Sequence, residues 1–312
     1  MDLTAPAPFV PIPWASGPHA QTILSHVWKS RCPDLPWVPG YVNLEPGETL
    51  RLEVLPGNSG TVLVLLHGLG GHANSSYLRR NAVLAANRGH GLIAVNHRGA
   101  GLGRGLARKP YHCGSTADVA AVVGYARQRF PGQRIVTVGF SISAAMLVLL
   151  LGRDHHLEQP DAAIAINPPG DLEACSQRLI RGVNRLYDRR FLNLLREHVR
   201  GCPGAPTLPP MRTLRDFDEA YTAPQSGFRD RADYYAQSSC GPHLATVQTP
   251  LVLLTSEDDP FAPASDLGMA SPSVHRHIEA HGGHCGYVGN TPTGTHRWMD
   301  YAVDHYLTQL SS

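Results

Sequence analysis

The chain has 312 residues, of which 42% are hydrophobic and 17% charged, a composition typical of a globular protein with one large core or a core and a cap. Its formal net charge of +2 gives no reason to predict a nucleic acid or another strongly anionic partner. The longest apolar run, residues 144–151, is too short to span a bilayer, so no transmembrane segment is predicted.

The N-terminal part of the chain contains two different patterns. Residues 1–40 are rich in proline, and we expect them to wrap irregularly around the outside of the core. Residues 41–44 and 50–55 flank a Pro-Gly turn, and the second of these segments alternates apolar and polar side chains. This pattern predicts an antiparallel hairpin.

From residue 62 onward, short apolar runs alternate with helical patterns. Strands are predicted at residues 62–66, 92–95, 134–138, 162–166, 251–254 and 274–278. Helices are predicted at residues 76–88, 116–130, 144–151 and 295–310. Because the strands at residues 62–66, 92–95 and 162–166 are apolar on both faces, they predict an α/β fold, with a mostly parallel central sheet covered by helices on both sides.

The alternation stops between residues 168 and 247, and we interpret this stretch as an inserted helical cap. Residues 41–167 and 248–312 would then form the core. The cap carries an apolar stripe at helical spacing, which we expect to pack on the core and to line an acyl pocket; packing on the core alone is the alternative. Its members are Leu179, Val183, Leu186, Phe191 and Leu195.

Arginines occupy positions between the apolar residues of the cap. They are Arg178, Arg181, Arg185, Arg189, Arg190 and Arg196. We interpret them as a solvated helix face. A docking surface for anionic lipid, which would give the protein a peripheral membrane contact, is the alternative.

The segment Gly139-Phe140-Ser141-Ile142-Ser143 follows a predicted strand and opens a predicted helix. A serine between small residues on a sharp strand-to-helix turn is typical of a nucleophile elbow, so Ser141 is the predicted nucleophile. Ser143 stands where the G-x-S-x-G pattern has its last glycine. We expect a small side chain there because helix and strand approach closely.

Serine is a poor nucleophile without an adjacent base, and two later segments offer the partners that it needs. His284 follows the last predicted strand and is the predicted general base, and Asp259 follows the strand before it. The chain order Ser, Asp, His is that of α/β-hydrolases. Asp258 is the competing acid, and we favour Asp259 because Pro260 and an apolar loop follow it.

The glycine-rich loop His67-Gly68-Leu69-Gly70-Gly71 directly follows a predicted strand. A loop of this kind lets backbone N–H groups approach a substrate carbonyl. We predict that the N–H groups of Leu69 and Ile142 form an oxyanion hole.

These motifs resemble those of the YheT-like hydrolases, the bacterial counterparts of the eukaryotic membrane-associated abhydrolase-domain lipid hydrolases. The similarity runs through almost the whole chain and includes residues 18–24, 67–71, 96–99, 111–115, 139–143, 217–218, 222–224, 258–261 and 282–287. The resemblance implies an α/β-hydrolase fold and carboxylester hydrolysis, with Ser141, Asp259 and His284 at the triad positions. Membrane residence is not expected to carry over, because the N-terminal anchor of the eukaryotic relatives is not recognised here.

Other interpretations of the same residues stay open at this point. A metal site would draw on His275, His277, His281 and His284, but no carboxylate-histidine helix motif accompanies them, so neither a metal nor a cofactor is predicted. A thioesterase or acyltransferase would use the same triad on a small-molecule substrate. A catalytically silent fold that binds a ligand or a partner is the other class of function.

The six cysteines show no C-x-x-C pair and no tight spacing. In a chain of this length we expect them to be free thiols in a reducing compartment. The N-terminus also lacks the basic and continuous apolar regions of a signal peptide. Together these features predict a cytoplasmic location.

Overall fold

The computed structural model describes residues 3–28 and 32–311. Its strands are β1 (Val10–Pro11), β2 (Val38–Glu45), β3 (Glu48–Leu55), β4 (Thr61–Leu66), β5 (Gly91–Asn96), β6 (Arg134–Phe140), β7 (Ala162–Ile166), β8 (Leu251–Ser256), β9 (Val274–Glu279) and β10 (Gly289–Asn290). Within the described residues, an 8-stranded sheet has the order β2-β3-β5-β4-β6-β7-β8-β9, and β1 pairs with β10 apart from it.

Most neighbouring strands of the large sheet run parallel. The exceptions are the hairpin β2–β3, which corresponds to the predicted one, and the pair β3–β5; both pairs are antiparallel. Apart from Arg134 at the start of β6, strands β4 to β8 are buried along their whole length, since their Val, Leu, Ile and Ala side chains meet helices on both faces. The predicted mostly parallel sheet with helices on both sides is therefore confirmed.

The helices are α1 (Pro18–Val27), α2 (Ser76–Asn87), α3 (Thr116–Arg129), α4 (Ile142–Gly152), α5 (Leu172–Leu179), α6 (Arg185–Arg200), α7 (Leu214–Phe217), α8 (Ala223–Gln225), α9 (Arg231–Ser238) and α10 (Trp298–Leu310). One apolar cluster joins the sheet to α3 and α4, and another joins its opposite face to α2 and α10. In the part of the chain that the structure describes, no helix has the length and apolar character needed to cross a membrane.

The region between β7 and β8, which we call the cap, contains α5 to α9. Leu179 and Leu195 of the predicted stripe are buried, but Val183 and Leu186 are 54% and 69% exposed. The prediction for these two residues was wrong, because the chain turns at Gly182 (φ 50°) between α5 and α6 and the helical spacing does not continue across that break.

The N-terminal segment is less irregular than predicted, since it contains the ten-residue helix α1. Pro18 occupies the first turn of α1, where its missing N–H costs nothing, so a proline-rich sequence and a helix are compatible here. Gln21 of α1 is fully buried. Its side-chain amide donates to the Ala15 and Val288 carbonyls and accepts from the Val288 N–H, which fastens α1 to the segment after β9.

Strands β4, β6, β8 and β9 are parallel members of one sheet, so their carboxyl ends lie at the same edge. The glycine-rich loop, Ser141, Asp259 and His284 each follow one of these four ends. In open α/β sheets this edge is where ligands bind.

Candidate active site

Ser141 lies on the sharp turn between β6 and α4, with φ 55° and ψ −116°. A residue with a side chain is strained in this backbone region, and such strain concentrates at functional sites. The turn also needs glycine at position 139, because a Cβ there would lie 2.6 Å from the Ser143 carbonyl oxygen. The close approach of strand and helix therefore occurs at Gly139, two residues before the serine.

Ser141, His284 and Asp259 form a continuous chain of hydrogen bonds. The His284 Nε2 atom is 2.8 Å from Ser141 Oγ, and its Nδ1 atom is 2.6 Å from Asp259 Oδ2. An ionised carboxylate only accepts, so Nδ1 carries the proton and Nε2 accepts from the serine hydroxyl. His284 is 9% exposed, and its ring packs against that of Phe261 with a centroid distance of 4.2 Å.

The carboxylate of Asp259 is buried but well supplied with donors. Its Oδ1 atom accepts from the N–H groups of Phe261 and Ala262, at 3.1 and 2.9 Å. Its Oδ2 atom accepts from Asn167 Nδ2 at 2.9 Å in addition to His284. Burial opposes the ionised form, but His284 and the backbone donors outweigh it and hold the pKa of Asp259 below its ordinary value.

The neighbouring Asp258 makes different contacts. Its Oδ1 atom accepts from the Gly283 N–H at 2.8 Å, and its Oδ2 atom lies 3.5 Å from His281 Nδ1. Asp258 thus supports the backbone of the loop that carries His284, whereas Asp259 contacts the imidazole.

Asn167 is a member of this site that is not predicted from the sequence. It follows β7 directly, is fully buried and has φ 47°, a conformation that asparagine tolerates better than most residues. Besides donating to Asp259, its Nδ2 donates to the Gly283 carbonyl at 3.2 Å, and its Oδ1 accepts from the Tyr287 hydroxyl at 3.0 Å. Its position could have indicated a role in the site, because Asn167 is a polar residue directly after a buried strand, at the sheet edge where ligands bind.

Helix α1 also positions the histidine. The Thr22 hydroxyl accepts from the His284 N–H at 2.9 Å and donates to the Pro18 carbonyl at 2.8 Å. Residues 18–24 carry part of the family resemblance, but no role is predicted for them from the sequence. The structure shows that they hold the backbone of the loop that follows β9.

The glycine-rich loop after β4 leaves one N–H group available. The N–H of Gly68 donates to the Tyr77 hydroxyl, that of Gly70 to the Tyr111 hydroxyl and that of Gly71 to the Gly68 carbonyl. Among the described residues, no acceptor is found for the N–H of Leu69. Gly70 permits this path, with φ 70° and Leu194 packed against it.

Ile142 is the first residue of α4, so its N–H has no acceptor within the helix. It follows Ser141 directly, and Leu69 and Ile142 both line the cavity that contains the Ser141 side chain. These are the two N–H groups predicted to form an oxyanion hole.

Ser143 takes part in a buried network beneath the loop. Its hydroxyl donates to the His67 carbonyl at 2.5 Å and accepts from His97 Nε2 at 2.7 Å. The His67 ring in turn accepts from the His97 N–H and donates to the Gly68 carbonyl. Burial lowers the pKa of His97 to about 4 and that of His67 well below its ordinary value, so both rings are neutral. Ser143 thereby ties α4 to the ends of β4 and β5.

Two cavities meet at Ser141. The inner cavity lies between the core and the cap, and the outer groove lies between α1, the glycine-rich loop and α6. Both are lined by Leu69, Ser141, Phe191, Phe261 and His284.

The inner cavity is mainly apolar. Its aliphatic and aromatic lining includes Leu172, Leu179, Leu195, Val199, Leu214 and Phe217. It also includes one buried carboxyl group, Asp218, which accepts from the Tyr235 hydroxyl at 2.8 Å. Burial raises the pKa of Asp218 to about 6, although hydrogen bonds from Thr222 and Tyr235 oppose the shift.

The histidines considered for a metal site have other contacts. His277 lies between the Tyr306 hydroxyl and Glu279, and His275 also contacts that hydroxyl. No group of three or more His, Cys, Asp or Glu side chains suited to a metal ion occurs in residues 3–28 and 32–311. Beside His284, burial raises the pKa of the Cys285 thiol well above its ordinary value, which disfavours a reactive thiolate.

The sequence of the chain is similar to those of known hydrolases. The model of the "Alpha/beta hydrolase family" matches residues 63–294. The chain is 29% identical to YheT of Escherichia coli (strain K12), which bears the name of an esterase, over 98% of this chain and 95% of that protein. It is 25% identical to Phospholipase ABHD3 of Mus musculus, over 97% of this chain and 78% of that protein. The similarity to YheT confirms the resemblance inferred from the motifs.

Solved structures show the same fold. The Pyrococcus furiosus esterase Pf2001 superimposes with a TM-score of 0.61 over 98% of this chain and 100% of that chain. The two sequences are 15% identical, so this similarity concerns the fold alone. The predicted fold class is confirmed by this superposition together with the matched family model.

Proposed function

The chain belongs to the alpha/beta hydrolase family and is an ester hydrolase, and we propose that it cleaves carboxylic esters through an acyl-enzyme on Ser141. The observation that carries the proposal is the hydrogen-bonded chain from Ser141 through His284 to Asp259, with distances of 2.8 and 2.6 Å. Both distances are within the reach that a nucleophile, its base and an orienting carboxylate require.

In the first half-reaction, Ser141 Oγ attacks the ester carbonyl carbon while His284 Nε2 takes the hydroxyl proton. The N–H groups of Leu69 and Ile142 would stabilise the oxyanion that forms on the carbonyl oxygen. The bond to the alcohol oxygen then breaks, and His284 gives its proton to the departing alcohol. The acyl group remains on Ser141.

In the second half-reaction, a water molecule attacks the acyl carbon and His284 Nε2 takes a proton from it. The bond to Ser141 Oγ breaks, the proton returns to the serine, and the carboxylic acid leaves. Asp259 keeps its negative charge throughout, since its lowered pKa favours the carboxylate. Its role is to hold the imidazole orientation and to stabilise the imidazolium.

We assign the acyl group to the inner cavity and the alcohol to the outer groove. The apolar lining supports this assignment because each buried methylene contributes about 0.8 kcal/mol. The cap closes the far side of the inner cavity, so we expect kcat/KM to peak at short-to-medium acyl chains. The outer groove is wider, which would accommodate a larger alcohol such as a lipid-like head.

The same groups could act on a thioester or transfer the acyl group to an acceptor other than water. A silent binding protein would not need the available Leu69 and Ile142 N–H groups beside an activated serine. All six cysteines are free thiols, which supports the predicted cytoplasmic location, and that location stays a prediction.

A panel of p-nitrophenyl esters from acetate to palmitate tests the proposal. We expect turnover that rises with chain length, passes a maximum and falls, and that is abolished in Ser141→Ala. The matched control is Ser59→Ala, just before β4 at the opposite edge of the sheet, which should retain full activity. Turnover that survives Ser141→Ala would refute the proposed nucleophile, and no turnover of any ester in the wild type would favour a binding function.

A further inference from the structure

Large apolar side chains are exposed on two neighbouring segments near the outer groove. Trp14 is 70% exposed, Val27 57% and Leu186 69%, and Ile23 and Trp28 are exposed as well. Scattered exposed apolar residues are ordinary, but a cluster that includes two tryptophans marks an interaction site.

These segments are in contact with each other. The Trp14 and Trp28 rings lie 6.4 Å apart at the two ends of the α1 segment. His19 of α1 hydrogen-bonds to the Tyr187 hydroxyl of α6 at 3.1 Å, and His26 of α1 contacts Arg190. The exposed faces of α1 and α6 therefore form one continuous surface, which we call the α1/α6 surface.

The α6 part of this surface is basic. Arg185 and Arg189 are one turn apart, and both flank Leu186 on the outer face of the helix. In the part of the chain that the structure describes, neither guanidinium has an acidic partner within 4.0 Å. Asp188 points inward and accepts from the Leu214 N–H, so it does not belong to this face. The acidic residue of this face is Glu197, which lies near its far end.

The outer groove opens on the same surface. Ile23 and Val27 of α1 and Arg190 of α6 line the groove, whose floor includes Ser141 and His284. The surface thus combines apolar side chains, tryptophans at their edge and arginines beside them, and the active-site groove lies between these groups. This combination suits the interfacial region of a bilayer. Each arginine near an anionic membrane surface strengthens binding about 5-fold.

We propose that the α1/α6 surface docks on a bilayer that contains anionic lipids and presents the outer groove to it. The tryptophans and Leu186 enter the headgroup region, and Arg185 and Arg189 contact lipid phosphates. An ester substrate in the bilayer would then reach Ser141 without passing through bulk water. The docking itself does not depend on the proposed hydrolysis.

Co-sedimentation with vesicles tests the proposal on the full chain carrying Ser141→Ala, which excludes hydrolysis during the measurement. Vesicles of phosphatidylcholine alone are compared with an equimolar mixture of phosphatidylcholine and phosphatidylglycerol. We expect binding to the mixed vesicles that weakens at high salt, together with a blue shift of the tryptophan emission.

Two double variants separate the basic and apolar contributions. Arg185→Gln with Arg189→Gln should weaken binding to the mixed vesicles about 30-fold. Trp14→Ser with Leu186→Ser should weaken it at least about 10-fold and reduce the blue shift. Met269→Ser and Arg129→Gln, both exposed and outside this surface, are the matched controls and should bind as the parent protein does.

Three outcomes would overturn the proposal: no binding to the mixed vesicles, unchanged binding in both double variants, or a dimer in analytical ultracentrifugation that Trp14→Ser with Leu186→Ser dissociates. The last result would show that a second copy of the chain covers the surface. Hydrolysis of soluble esters by the wild type is measured separately, so failure of docking and failure of the proposed reaction are distinguishable.

Discussion

Asn167 Nδ2 donates to Asp259 Oδ2 at 2.9 Å, and the same carboxylate oxygen lies 2.6 Å from His284 Nδ1. The amide therefore fixes the carboxylate that orients the base. Asn167 also reaches the loop that carries His284, through the Gly283 carbonyl and the Tyr287 hydroxyl. We infer that Asn167 is a positioning residue for the whole constellation.

Asn167→Gly tests this role, because glycine adopts the φ of 47° without strain and only the side chain is lost. A hydrogen bond to a charged group contributes about 1.5–3 kcal/mol, so kcat should fall about 10- to 100-fold while KM changes little. Asn43→Ala in the β2–β3 hairpin is the control. An unchanged kcat in Asn167→Gly would show that the other hydrogen-bond donors hold the Asp259 carboxylate without a contribution from Asn167.

The two adjacent aspartates should differ sharply in their effect on turnover. Asp259→Asn should lower kcat about 10⁴-fold, because an amide at this position favours the wrong imidazole tautomer. Asp258→Asn weakens only the contacts with Gly283 and His281, and its kcat should stay within about 10-fold of the wild type. Steady-state kinetics on one soluble ester compares the two variants. A larger loss of kcat in Asp258→Asn than in Asp259→Asn would show that Asp258 is the acid of the triad.

Substitution of Ser143 should lower the free energy of unfolding more than it lowers the rate of ester turnover. Ser143→Gly leaves the His67 carbonyl and His97 Nε2 without their partner, and each unsatisfied buried group costs about 1–3 kcal/mol. We expect urea unfolding to show a loss of about 2 kcal/mol or more while the folded variant still turns over ester. A variant as stable as the wild type would show that water or local rearrangement satisfies the network.

Stability should depend on pH through Asp218. Its pKa of about 6 exceeds that of an unfolded aspartate, about 3.9, so the folded chain holds the proton more tightly. The stabilisation is complete below about pH 4 and is lost as the pH rises through about 6, a change of up to about 3 kcal/mol. Arg215, Arg231 and the Tyr235 hydroxyl lie near the carboxyl group and limit the shift.

Asp218→Asn removes this titration. Urea unfolding at about pH 4 and about pH 7 should show that the variant gains stability relative to the wild type as the pH rises. The other titrating groups are common to both proteins and cancel in the difference. A difference that stays constant with pH would contradict a raised pKa for Asp218.

The strands and the order of the site segments could be predicted from the sequence because they depend on local patterns. The strand at residues 162–166 has the predicted bounds, and the two-sided burial of β4 to β8 follows from continuous apolar runs. Ser141, Asp259 and His284 were predicted because each follows a predicted strand, in the chain order Ser, Asp, His.

The positioning contacts could not be predicted in this way. Thr22 and Asn167 lie 262 and 118 residues from their contacts with His284 and Cys285, and no local periodicity records pairings at that separation. The helix break at Gly182 could not be predicted from residue spacing either, because the spacing of Leu179 and Leu186 is compatible with one continuous helix.

Covalent labelling tests the central claim most directly. After treatment with a fluorophosphonate, peptide mass spectrometry should place one adduct on Ser141. Ser141→Ala should not be labelled, while Ser143→Gly should be. An adduct on Ser143, or a folded wild-type protein that takes up no label, would contradict the assignment of Ser141 as the nucleophile.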